Sequence, residues 1–185
     1  TASGCFGFGL EYKDYFDPNE LGGILIKGLT MELRDGNMGV RIAETPAGML
    51  NSVGLENPGI EYFETVISKE LKEKINVPII ANINGKVLEE YIEIAERIEK
   101  IDLIKGIELN ISCPNVKDGG MAFGANPVMA AKVTREVRKV TKKPLIVKLS
   151  PNVTNIVDIA KIVEAEGADA VSLIMLSHQI LSAGK

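Results

Sequence analysis

The chain has 185 residues, 45% hydrophobic and 25% charged, the balance of a single globular domain or of part of a larger one. Its 21 basic and 25 acidic side chains leave a net charge of −4, which argues against nucleic acid and anionic membranes as partners. No apolar run approaches the roughly 18 residues needed to cross a bilayer, no Cys/His cluster offers a metal or iron–sulfur site, and the two distant cysteines, Cys5 and Cys113, fit a reducing cytoplasm rather than a disulfide framework.

The start, Thr1 to Gly9, lacks the basic and apolar regions of a signal peptide and is too rich in glycine for a helix, so it reads as a loop following a strand. Glu11 to Phe16 is expected as a short helix stopped near Pro18, and Gly23 to Lys27 as a strand. Thr30 to Asn57 is a long irregular stretch, a length that usually marks a functional loop, and within it Gly48-Met-Leu-Asn-Ser-Val-Gly-Leu55 is the least random segment. Gly59 to Ile75 carries apolar residues at helical spacing. Strands are then expected at Val77 to Ile83, Ile107 to Ile111, Leu145 to Leu149 and Ala170 to Leu176, separated by helices at Val87 to Leu103, Pro127 to Thr141 and Thr154 to Glu166. Strand and helix alternate with no hairpin signal between them, which demands parallel strands with crossover helices.

Side chains alternate across a strand. One face would carry Leu25 and Lys27, Ile80, Asn82 and Asn84, Glu108 and Asn110, and Ile146, Lys148 and Ser150; the other is apolar or small throughout, as at Ile24, Ile26, Ile79, Ala81, Ile107, Leu109, Leu145 and Val147. In four successive strands the polar members of the first face sit at the C-terminal end. That suits a (β/α)8 barrel, whose inner wall turns polar where the active site lies, better than a doubly wound sheet covered on both faces, and no G-x-G-x-x-G follows any strand.

The stretch Gly106-Ile-Glu-Leu-Asn-Ile-Ser-Cys-Pro-Asn-Val-Lys-Asp-Gly-Gly120 gathers Asn110, Cys113 and Asn115 at a strand end and in the loop after it. Amides match donors and acceptors together, and a loop thiol can act as base or nucleophile. Lysines with amides suit an anionic, planar, amide-rich ligand. Paired carboxylates for glycoside chemistry and a Ser-His-Asp set are missing, since the single histidine, His178, lies near the tail.

Asn110-Ile-Ser-Cys-Pro-Asn-Val, together with Lys27-Gly28, Asn51-Ser-Val-Gly-Leu55 and Val147-Lys-Leu-Ser-Pro-Asn152, resembles the class 1 dihydroorotate dehydrogenases, and Asp118-Gly-Gly-Met-Ala-Phe-Gly124 resembles their type B catalytic subunit. The resemblance runs from Thr1 to about Ile174. It implies a flavin-dependent (β/α)8 TIM barrel, here the first five or six β/α units, that oxidises dihydroorotate to orotate in pyrimidine biosynthesis with FMN as hydride acceptor. It implies Cys113 as the base that takes the C5 proton, and Lys27, Asn51, Val53, Gly54, Leu55, Asn110 and Asn115 around the substrate. For the FMN site it implies Ser3, Lys27, Gly28, Asn82, Asn110, Lys148 and Ile174. It further implies a cytoplasmic homodimer joined to a subunit carrying FAD and a 2Fe-2S cluster. Residues 1–174 are thus expected as a partial barrel and 175–185 as a divergent tail, because Met175 and Leu176 stand where the family has an Asn-Thr pair. A barrel of this kind needs roughly 250 residues, so the chain is expected to be incomplete at both ends, poorly soluble and unable to retain FMN when made alone. The competing expectation is an inactive remnant or binding module of the same fold.

Overall fold

The structure, a computed structural model, describes residues 1–112 and 123–173. Cys113, Asn115 and Ile174, the tail 175–185 and His178 lie outside the described residues.

Five strands form one all-parallel sheet: β1 (Ile24–Leu25), β4 (Ile79–Ile83), β5 (Ile104–Asn110), β6 (Leu145–Leu149) and β7 (Ala170–Leu173). Their spatial order is their sequence order, each new strand joining the same edge. A doubly wound sheet reverses direction at a switch point; consecutive units of a β/α barrel do not. Four helical crossovers link the strands. The first is a helix broken in the middle, α1 (Gly59–Tyr62), a π-helical turn at Phe63–Ile67 and α2 (Ser68–Lys74). The others are α3 (Leu88–Glu99), α4 (Pro127–Val140) and α5 (Ile156–Ala165). Helix α3 packs on α4 and α4 on α5, as neighbours in the outer ring of a barrel do.

The sequence explains the helix starts. Asn126 accepts from the backbone N–H groups of Val128 and Met129 at 2.9 and 3.2 Å, with Pro127 at the first helical position of α4. Asn155 caps α5 through Val157 N–H at 3.0 Å.

The core lies between the helices and the apolar strand face. Ile24, Ile26, Ile79, Ala81, Ile83, Ile107, Leu109, Leu145 and Val147 are fully buried there, against Phe63, Tyr91, Ile94, Val133 and Val163 among others. Each large aliphatic side chain so buried is worth about 1.5–3 kcal/mol. The opposite face is different in kind. Leu25, Ile80 and Ile146 are half-buried at its base, and the polar residues lie further along the strands. The one-sided pattern read from the sequence is therefore the division between barrel core and inner wall.

Three expectations about local structure are corrected. Glu11 to Phe16 forms turns, not a helix, because the Glu11 carboxylate is committed to the N–H groups of Phe8, Gly9 and Leu10 at 2.8, 2.9 and 3.0 Å. Pro18 opens a one-turn helix, Pro18–Glu20 capped by Asp17, rather than stopping one. The irregular stretch also contains an antiparallel hairpin, β2 (Ile42–Thr45) and β3 (Gly48–Asn51), in register Ile42 to Asn51 and Thr45 to Gly48. Every residue of both its strands is exposed.

Candidate functional site

The C-terminal ends of the parallel strands bring the polar inner-face residues together through pairing register. Asn82 sits opposite Glu108, Asn110 opposite Lys148, and Lys148 opposite Ser172. The glycine-rich loop before β1 closes over them and delivers Ser3. It is held there by Lys27 N–H donating to the Gly7 carbonyl at 2.7 Å and by Phe8, whose ring lies 5.9 Å from that of Phe63.

The centre of the cluster is Glu108, only 2% exposed. Its Oε2 accepts from Ser3 Oγ and from Asn82 Nδ2, both at 2.5 Å, and its Oε1 accepts from Ser172 Oγ at 2.7 Å. Lys148 Nζ donates to Ser3 Oγ at 2.9 Å. Asn82 Oδ1 accepts from Asn84 Nδ2 at 2.7 Å. Of these, Ser3, Asn82 and Lys148 were expected as cofactor residues and do converge. Glu108 and Ser172 were not expected as site residues. The signal for Glu108 was available: a carboxylate on a strand face otherwise destined for burial needs donors. Ser172 carries no such signal in the sequence.

Gly28 follows β1 and lies against the asparagine pair. A Cβ there would fall against Asn84 Nδ2, 2.7 Å from Asn82 Oδ1 and 3.2 Å from Leu55 Cδ1. Because both amides are buried, they have nowhere to retreat. Gly28→Ala is expected to destabilise the protein by about 1–3 kcal/mol through overpacking. A lowered urea midpoint at unchanged m-value is the check; an unchanged midpoint would mean the pocket yields freely.

Leu55 reaches this point from the segment after the hairpin, and its backbone is strained to do so. Its φ of 57° is the one left-handed value at a non-glycine among the described residues, and it follows Gly54 at 79°. A left-handed L-residue costs about 1–2 kcal/mol, strain that concentrates at ligand sites. The segment is secured from behind. Asn57 Oδ1 accepts from Thr30 N–H, Thr30 Oγ1 and Gly59 N–H at 3.1, 3.0 and 3.0 Å, and Val53 carbonyl accepts from Asn37 N–H at 3.0 Å. Val53, Gly54 and Leu55 are half-buried. Asn51 ends β3, exposed, and makes no hydrogen bond to the strand-end cluster among the described residues.

Asn110 closes β5. Its Oδ1 accepts from Ser112 N–H and Oγ at 3.2 and 2.6 Å, and its carbonyl accepts from Tyr91 Oη at 2.9 Å. Tyr91 also packs edge-on against Phe123, 5.5 Å between ring centres, so one buried tyrosine steadies both described ends of the stretch that carries Cys113 and Asn115.

The cluster has unused polar capacity. Asn84 is 2% exposed and its Oδ1 has no hydrogen-bond partner among the described residues. Lys27 and Lys148 are half-buried on the inner face, and neither joins an ion pair among the described residues. Buried polar atoms and half-buried ammonium groups are costly without partners. Cations, amide acceptors and donors on one concave face fit a flavin and an anionic heterocycle. Among the described residues no cluster of His, Cys, Asp or Glu is placed to hold a metal, and no helix is long and apolar enough to cross a membrane.

Comparison with known proteins agrees with this geometry. The family model described as dihydroorotate dehydrogenase matches residues 1–184. Similar proteins include the catalytic subunits of dihydroorotate dehydrogenase B (NAD(+)) from Brachyspira hyodysenteriae, 60% identical over 175 residues, and Parabacteroides distasonis, 58% identical over 174. That of Anoxybacillus flavithermus is 54% identical over 175 residues. Each alignment covers 94% of this chain, but the chain spans only 55–57% of the length of those relatives.

Proposed function

The chain belongs to the dihydroorotate dehydrogenase family, and from that premise we propose that it supplies the FMN- and substrate-binding half of an enzyme that oxidises dihydroorotate to orotate in pyrimidine biosynthesis. The observation that carries this reading is the half-buried Lys27 ammonium, which joins no ion pair among the described residues, together with Asn84 Oδ1, which has no hydrogen-bond partner among them, and Lys148, which reaches a carboxylate only through the Ser3 hydroxyl. Orotate and dihydroorotate are anionic and amide-rich, and a reduced flavin is anionic at N1.

In this reading Ser3, Gly28, Asn82, Asn110 and Lys148, with Ile174, hold FMN. Gly28 does so by leaving room where a side chain would collide, and Lys148 by placing positive charge at the ring. Lys27, Asn51, Val53, Gly54, Leu55, Asn110 and Asn115 hold the substrate, the strained 54–55 backbone presenting its amides rather than side chains. Cys113 takes the C5 proton, since removing a proton alpha to a carbonyl requires a positioned base. When bound, FMN supplies the hydride acceptor for the C6 hydrogen. The relatives' names support the type B catalytic subunit; a cytoplasmic homodimer joined to an electron-transfer subunit with FAD and a 2Fe-2S cluster is the finer part of this proposal and rests on the family resemblance alone.

Orotate titration followed by the flavin absorbance change tests the reading. Wild type should give a saturable difference spectrum. Lys27→Ala should weaken orotate binding by roughly 10-fold or more, the loss of one charged hydrogen bond of about 1.5–3 kcal/mol. An FMN-loaded full-length wild-type protein without an orotate-induced change would remove the substrate assignment; intact affinity in Lys27→Ala would remove Lys27 from it.

A further inference from the structure

We infer that Glu108 is a positioning residue of the flavin site: a buried carboxylate that fixes Asn82 and Ser3 and, through the Ser3 hydroxyl, compensates the charge of Lys148. The inference rests on the FMN reading above and goes beyond it, since Glu108 and Ser172 have no part in that reading.

The hydrogen-bond polarity of the cluster is forced. A serine hydroxyl has one proton. Ser3 donates it to Glu108 Oε2, so its lone pairs must face Lys148 Nζ, which has only protons to give. The result is an ion pair bridged by a hydroxyl, running from ammonium through Ser3 to carboxylate. Asn82 is fixed in the same way. Its Nδ2 donates to Glu108 and its Oδ1 accepts from Asn84, so the amide cannot flip without placing donor against donor and acceptor against carboxylate. Ser172 from β7 supplies the donor to the other carboxylate oxygen. Three strands and the glycine-rich loop are thereby locked to one side chain. Charge-assisted hydrogen bonds of this kind are about twice as strong as neutral ones, and their neighbours are fixed before any ligand arrives.

With FMN held by these residues, the Glu108 carboxylate, 2% exposed, would oppose negative charge on the ring and Lys148 would favour it. The two together set the reduction potential, and changes on either side of the balance should move it in opposite directions. Glu108→Gln removes the negative charge and leaves Lys148 uncompensated. The FMN-loaded protein should then hold reduced flavin at least tenfold more favourably, a rise of about 30 mV for a two-electron couple. Ser172→Ala strips one donor from the carboxylate and keeps its charge. The potential should fall, by about threefold in the same equilibrium, or about 14 mV. Midpoint potentials are measured on flavin absorbance against a reference dye, without turnover, so general damage to activity does not enter. Opposite shifts support the assignment. A folded, FMN-loaded Glu108→Gln with the wild-type potential overturns it; if that variant does not fold, a wild-type potential in Ser172→Ala overturns it equally. A full-length protein carrying these residues that binds no FMN would instead sink the functional reading on which this rests.

Discussion

Cys113→Ala in the full-length protein is expected to leave FMN bound and to slow flavin reduction by dihydroorotate at least about 10²-fold, the low end for a lost general base. The retention of FMN is expected because the side chains proposed to hold the cofactor, Ser3, Asn82 and Lys148, are tied to one another through Glu108 and the Ser3 hydroxyl. Cys113→Ser should keep a residual rate that climbs with pH, since a hydroxyl is a far weaker acid than a thiol and less of it is ionised at any given pH. The check is stopped-flow bleaching of the flavin absorbance across a pH series. Unchanged bleaching in Cys113→Ala would take Cys113 out of the mechanism.

Phe63→Ala is expected to produce the largest loss of stability, about 3–5 kcal/mol, as for other fully buried aromatic residues, against a total of about 5–15 kcal/mol. Phe63 is completely buried at the start of the π-helical turn, and it backs Phe8 in the loop that carries Ser3. The cavity should therefore loosen the flavin site as well as the fold. Urea unfolding followed by circular dichroism measures the first effect, and FMN released on desalting measures the second. A loss below about 1 kcal/mol would mean that the helix collapses into the space and that Phe63 does not anchor it.

The β/α units were legible because their burial is one-sided in a way that period and composition report. Strands such as Ile79–Ile83 and Leu145–Leu149 expose nothing on the helix side, so every second residue is apolar, and helices capped by Asn126 and Asn155 declare their starts. The hairpin Ile42–Asn51 was illegible for the complementary reason. Both its faces are exposed, so alternation has no core to track, and Pro46 reads as a breaker although it stands in the two-residue turn between the strands. The helix expected at Glu11 to Phe16 does not form, and the part that Glu11 plays as an internal cap for the glycine loop leaves no mark in the sequence pattern.

Within the candidate site, Lys27, Asn82 and Lys148 were visible as polar interruptions at strand ends, and the motifs around Asn51, Asn110 and Cys113 were visible through their resemblance to the family. The part played by Glu108 was not. Its partners Ser3 and Ser172 lie 105 and 64 residues away in sequence, and only strand register brings them to one carboxylate. Serines so far apart have no local signature. A buried acid among lysines and amides looks, in one dimension, like any other strand-face polar residue.

The central claim is that the polar ends of β1, β4, β5 and β6 hold FMN in reach of dihydroorotate. Anaerobic mixing of the FMN-loaded protein with dihydroorotate tests it most directly. The expected result is loss of the oxidised flavin absorbance near its long-wavelength maximum, with orotate formed in equal amount to the flavin reduced. A protein that binds FMN and leaves it oxidised in the presence of excess dihydroorotate would contradict the account and mark the chain as a flavin-binding module without the activity.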